Sequence, residues 1–253
     1  MDITISQEIE AAINKYKPWV IINAAGYVKV DEAETDVEKC FNYNAVGVQY
    51  LAESCKRASI QLMSFSSDLV FDGRRNSPYL ESDIVNPLNV YGKSKSIAER
   101  LALSIYPDTL MIRTSTFFSP YDQYNFVYGI INSISEKNEY IAATDIFISP
   151  TYVPDLVHTC LDLLIDNESG IWHLTSGEKW SWAQLANKVA DHAGLDHSLI
   201  NSLESRDIDF KAKRPIYSVL GTSKGIILPS FEDGLMRCIR ESADIWKHSD
   251  SRV

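Results

Sequence analysis

The sequence predicts a doubly wound α/β fold: a parallel sheet with helices on both faces and a smaller lobe at the C-terminus. Three observations carry this. Strand-length apolar runs alternate with segments whose apolar residues recur at helical spacing. The runs are apolar on both faces, as expected of strands covered from either side. The segments between them are long enough to hold a helix, which parallel neighbours require.

Each element can be justified in turn. Residues 19–24, Trp-Val-Ile-Ile-Asn-Ala, follow Pro18 and read as a strand. Residues 37–57 read as a helix, with Val37, Phe41, Ala45, Val48, Leu51, Ala52 and Cys55 on one face. A second strand over 60–65 ends in Ser66-Ser67-Asp68. A helix over 91–103 carries Ile97, Leu101 and Ile105 on one side. A third strand spans 110–114, a helix 153–165 and a further strand 170–174. Ser181, with Gln184 three residues on, predicts a capped helix running to about Ala193. The polar stretch 201–213 reads as loop, and 231–241 as a last helix. The division expected is a core over 1–150, with contributions from 151–178, and a substrate lobe over 179–253.

Composition narrows the function classes. The chain has 253 residues, and its net charge is 24 − 34 = −10. So acidic a chain has no general attraction for a nucleic-acid backbone. Cys40, Cys55, Cys160 and Cys238 form no C-x-x-C pair, so neither zinc site nor disulfide framework is expected. Reduced thiols fit a cytoplasmic protein. No apolar run reaches the roughly 20 residues that span a bilayer. Residues 1–4 carry no secretory signal pattern. The five histidines form no ligand cluster, and no metal is expected; His173, in an apolar strand, reads as a core histidine.

Ligands of doubly wound sheets sit beyond the carboxyl ends of the strands. Three polar clusters fall there: Asn23 to Tyr27, Ser66-Ser67-Asp68 and Thr114-Ser115-Thr116. Small residues in the first let a flat ligand approach the backbone, and hydroxyls in the second can donate to a carbonyl. Tyr91 and Lys95 lie one helical turn apart on one face. A phenol ordinarily titrates near 10, too high for easy proton exchange. A neighbouring ammonium is expected to lower it. The pair therefore suits alcohol–ketone interconversion. Arg214 can bond two phosphate oxygens at once or brace a carboxylate. Trp180 and Trp182 can stack on a ligand or pack a core. The acidic run 31–34 reads as a solvated turn.

The combined segments 23–34, 66–73, 87–95 and 113–115 resemble the extended short-chain dehydrogenase/reductases. The branch they resemble most is the dTDP-4-dehydrorhamnose reductases, and 149–156, 171–174 and 214–220 continue the likeness. The resemblance implies a Rossmann-like core, an NADPH or NADH cofactor, and reduction of a 4-keto-6-deoxy sugar carried on a nucleotide. Tyr91 would donate the proton, Lys95 would hold the nicotinamide ribose, and Ser67 would bond the substrate carbonyl. Gly26, Tyr27 and Val28 would line the cofactor, with Asp2 and Ile3 near its adenine. Asp68 and Arg214 would contact the substrate. Thr116 would do so where the branch usually has an aromatic residue.

The resemblance also implies a glycine-rich strand-turn-helix that this sequence does not contain. None of its eleven glycines lie two or three residues apart. A βαβ unit of about 30–40 residues is missing by comparison. An N-terminally shortened chain, a unit supplied by a partner chain or a homodimer, and a binding or regulatory module without catalysis are the readings left open.

Overall fold

A computed structural model describes residues 1–245. Its strands are β1 (Val20–Asn23), β2 (Gln61–Ser67), β3 (Leu110–Thr114), β4 (Phe117–Phe118), β5 (Tyr140–Ala143), β6 (Phe147–Ile148), β7 (Thr151–Tyr152), β8 (Gly170–His173), β9 (Trp180–Ser181) and β10 (Ile200–Leu203). Its α-helices are α1 (Ser6–Tyr16), α2 (Val37–Phe41), α3 (Gly47–Ala58), α4 (Val90–Ile105), α5 (Phe126–Ser135), α6 (Val153–Ile165), α7 (Trp182–Ala193) and α8 (Phe231–Ile245).

The main sheet is parallel, in the order β1-β2-β3-β8. Side chains alternate between its faces. On one face Leu62 and Met111 meet Ile9 of α1, Val48 and Leu51 of α3, and Ala98 and Ala102 of α4. On the other, Met63, Leu110, Ile112 and Trp172 meet Leu156, Cys160, Leu163 and Leu164 of α6. This two-sided burial is why the strands read as unbroken apolar runs. Strand β1 forms one margin of the sheet among the described residues, with Trp19 and Ile22 exposed beside it.

A second core joins Phe118, Phe126 and Ile130 to Leu185 and Val189 of α7 and to Phe231, Leu235 and Cys238 of α8. It therefore draws on residues 117–152 as well as on those beyond 179. Two-stranded pairs, β5 with β10 and β6 with β9, frame it. The capping box at Ser181 and Gln184 forms as expected. Trp180 and Trp182 pack against Phe231 and Phe126 in this core.

Three differences from the sequence reading stand out. The expected helix 37–57 is interrupted by a π-helical turn, Asn42–Val46. The polar stretch 201–213 contains most of β10, whose outward Asn201 and Ser202 disguise a strand paired on its inner edge. Helices α1 and α5 were not foreseen. All four cysteines are buried and unpaired. No helix among the described residues is long and apolar enough to cross a membrane. The chain beyond residue 245, with His248 and the end of the expected lobe, lies outside the described residues.

Candidate active site

The start of α4 is seated directly on the turn that follows β2. Asn89 caps the helix by accepting from the Gly92 amide at 2.7 Å, and its own amide donates to the Lys213 carbonyl at 2.8 Å. A Cβ on Gly92 would lie 2.1 Å from the Leu69 carbonyl oxygen. Only glycine lets the helix approach so closely, and that approach brings Tyr91 beside Ser67.

Ser67 lies beside the Tyr91 phenol and acts to lower its pKa. Its hydroxyl also lies 3.0 Å from Asp68 Oδ1 and accepts from the Leu69 amide at 3.1 Å. Lys95 is 7% exposed; its Nζ donates to the Phe65 carbonyl at 3.1 Å and sits 5.7 Å from the centre of the Tyr91 ring. Among the described residues no carboxylate lies within ion-pair distance of it. Burial lowers Lys95 to about 8. The expected lowering of Tyr91 is not what the geometry gives. Burial, then the charge of Asp68, pushes the phenol well above its ordinary value. The ammonium points to a backbone carbonyl rather than to the phenol oxygen.

Asn44 completes the site and was missed in the sequence, although a lone amide on an otherwise apolar helical face was a usable signal. It lies in the π-helical turn and is 1% exposed. Its Oδ1 accepts from the Tyr27 amide at 2.8 Å, while Nδ2 donates to the Tyr27 carbonyl and the Ser94 hydroxyl, both at 3.0 Å. π-Turns recur at functional sites because they re-aim a side chain. Here the turn clamps the chain leaving β1 against α4. A Cβ on Gly26 would meet Asn44 Oδ1 at 2.9 Å and Lys95 Nζ at 3.5 Å. Gly26 thus holds a cradle open beside the ammonium.

Other expected residues turn elsewhere. Tyr27 buries its ring and donates to Asp36 at 3.0 Å, so it lines the site through its backbone. Val28 is exposed. The Ile3 side chain packs on Gly47 in the core, and Asp2 accepts from Thr4. Thr116 offers its carbonyl to the Thr151 amide. Asp68 is buried and occupied by hydroxyls. Arg214 resolves as a brace: it donates to Asp31 at 2.8 Å and lies over the Phe210 ring. It also borders a slot of about 300 Å³ lined by Tyr140, Ala142, Ile146, Trp182 and Phe210. Glu34 of the acidic run accepts from the Val90 amide at the start of α4.

Ser66, on the opposite face of β2 from Ser67, meets a buried ion pair. Arg113 forks onto Glu99 at 2.8 and 2.7 Å, and Ser66 donates to the same carboxylate at 2.5 Å. His173 bridges this pair to the C-terminal segment. Its Nδ1 faces the Gly221 and Tyr79 carbonyls, so Nδ1 carries the proton and Nε2 faces Arg113. Burial, then Arg113, keeps it neutral, as a core histidine. No group of three metal-binding side chains occurs among the described residues.

The sequence matches the RmlD substrate binding domain family over residues 1–243. It is 36% identical to a dTDP-4-dehydrorhamnose reductase of Aggregatibacter actinomycetemcomitans, over 88% of this chain and 80% of that protein. It is 30% identical to a dTDP-4-keto-6-deoxy-D-glucose reductase of Streptomyces niveus, over 87% and 77%. The fold is similar to that of a Bacillus anthracis dTDP-4-dehydrorhamnose reductase solved with NADP. The TM-score is 0.91 at 29% identity, over 95% of this chain and 87% of that one. A seated α4, a hydroxyl at the end of β2 and a match across nearly the whole chain lead to one conclusion: this chain belongs to the RmlD substrate binding domain family.

Proposed function

We propose that this protein is a nicotinamide-dependent reductase of a nucleotide-linked 4-keto-6-deoxy sugar, with Tyr91 as proton donor. The observation that carries it is the convergence of Ser67, Tyr91 and Lys95 at the carboxyl end of β2. The reductases named above supply the substrate class, and the one solved with NADP supports a nicotinamide cofactor, NADPH or NADH.

The residues present fit the nicotinamide and ribose end of that cofactor. Gly26 leaves room where a Cβ would press on Asn44, and the buried Lys95 ammonium has donors left for ribose hydroxyls. The backbone at Tyr27 and Val28 would flank it, and the backbone of Asp2 and Ile3 would lie toward its adenine. When bound, the cofactor supplies the hydride. Ser67 then orients the keto oxygen, and Tyr91, kept protonated, delivers its proton as charge develops on that oxygen. A positioned acid of this kind contributes about 10²–10⁴-fold. The second core forms the substrate lobe, with Thr116 near its edge. Arg214 reaches the nucleotide part by sharing its guanidinium between Asp31 and a phosphate, beside the slot under Phe210.

The test is NADPH absorbance loss when purified protein meets dTDP-4-dehydrorhamnose. Turnover supports the reading; none, with verified fold, counts against it. Calorimetric titration with NADPH is a second test: micromolar binding supports the enzyme reading, and no binding by the folded protein counts against it.

A further inference from the structure

Asp68 is 5% exposed and has no cationic partner among the described residues, yet three hydroxyls converge on it. They come from three separate parts of the chain. Ser67, at the end of β2, lies 3.0 Å from Oδ1. Ser115, just past β3, donates to Oδ2 at 2.9 Å. Ser218, 150 residues along the chain from Asp68, donates to Oδ2 at 2.6 Å. Ser218 itself is 1% exposed, and its amide donates to the Phe147 carbonyl at 2.9 Å. It is thus anchored to the segment that frames the second core.

This geometry divides the carboxyl in two. Oδ2 is taken up by Ser115 and Ser218; Oδ1 faces Ser67. A carboxyl pinned at Oδ2 cannot rotate, so Oδ1 stays at one place beside Ser67. Ser67 in turn has one proton and two lone pairs to distribute among Asp68, the Leu69 amide and the Tyr91 phenol. Fixing Oδ1 fixes the Ser67 rotamer. The hydroxyls also draw Asp68 back toward the ionised form that its burial disfavours.

We propose that Ser115 and Ser218 are positioning residues for the reaction: they pin Asp68, and Asp68 sets the Ser67 hydroxyl beside Tyr91. Ser218 therefore couples the seating of the C-terminal segment to the hydroxyl that meets the keto oxygen. The inference rests on the reductase reading above. It changes the role of Asp68 from a sugar contact to a support lying behind Ser67.

A double-mutant cycle on the full chain tests it, with turnover of dTDP-4-dehydrorhamnose by NADPH as the readout. Ser218→Ala should lower kcat about 10-fold or more, because small misplacements of reacting groups are costly, with KM for NADPH little changed. Ser218→Thr should restore most of the rate by returning the hydroxyl. In a Ser67→Ala background, Ser218→Ala should cost almost nothing further. A purely structural Ser218 would instead give additive losses, or a loss that Thr does not rescue, and either result overturns the proposal. Ser115→Ala repeats the cycle should Ser218→Ala fail to fold by circular dichroism. If the wild type, with verified fold, does not turn over dTDP-4-dehydrorhamnose at all, the reductase reading itself falls, which is a different outcome.

Discussion

Asn44 and Tyr27 exchange two hydrogen bonds: the Tyr27 amide donates to Asn44 Oδ1 at 2.8 Å, and Asn44 Nδ2 returns one to the Tyr27 carbonyl at 3.0 Å. One buried amide thereby satisfies both backbone groups of a residue that belongs to neither strand nor helix. Losing it strands two buried polar groups, each worth about 1–3 kcal/mol. Asn44→Ala should destabilise the fold by a few kcal/mol on that scale and weaken NADPH binding together with it. Asn44→Asp, which keeps the acceptor but not the donor, should fall between. Urea unfolding and calorimetric titration of the same samples check both.

Two helical glycines should respond in opposite directions to alanine. Gly129 in α5 has nothing within 4 Å of where a Cβ would stand. Gly129→Ala should stabilise by up to about 1 kcal/mol through helix propensity. Gly92→Ala gains the same propensity, but its Cβ would overlap the Leu69 carbonyl. Overpacking costs about 1–3 kcal/mol, occasionally more, and outweighs the gain. The melting temperature should rise for the first and fall for the second. Turnover should fall only for Gly92→Ala, because the shift moves Tyr91 from Ser67.

The Arg113–Glu99 pair is 3% and 5% exposed and is bonded on all sides. Glu99→Gln leaves the guanidinium without a counter-charge and should cost about 3–5 kcal/mol. Replacing both residues with apolar ones of similar volume should cost less than either single change. Equilibrium unfolding of the three variants measures the difference.

Lys95 should leave a signature in stability against pH. Its folded-state value is lowered to about 8 from the ordinary 10.5. Between those values the unfolded chain binds the proton and the folded chain does not, so stability rises with pH. Relative to Lys95→Met, the wild type should gain on the order of 2–3 kcal/mol between pH 8 and 10. Tyr91, raised in the fold, acts oppositely but only above pH 10. Denaturant midpoints of both proteins at pH 7, 8, 9 and 10 test the sign.

Much of this was legible in the sequence where one physical signal dominated. Residues 110–114 and 153–165 read correctly because two-sided burial and helical spacing leave unmistakable patterns. The break at Asn42–Val46 was not legible, because Val37, Phe41, Ala45, Val48 and Leu51 stand three or four residues apart, as they would in an unbroken helix. Strand β10 was hidden by its solvent-facing Asn201 and Ser202. Tyr91, Lys95 and Ser67 stood out by residue type and position. The direction of the Tyr91 shift did not, because it depends on where the Lys95 ammonium points and on a carboxyl across the site. Ser115 and Ser218 carry no local signal, since their roles exist only once distant segments meet on Asp68.

The most direct measurement is the single-turnover rate of NADPH oxidation with dTDP-4-dehydrorhamnose, compared between the wild type and Tyr91→Phe at equal, verified folding. Tyr91→Phe removes the proton and little else, so the rate should fall about 10²-fold or more while NADPH still binds. Equal rates for the two proteins would contradict the assignment of Tyr91 and the chemistry built on it.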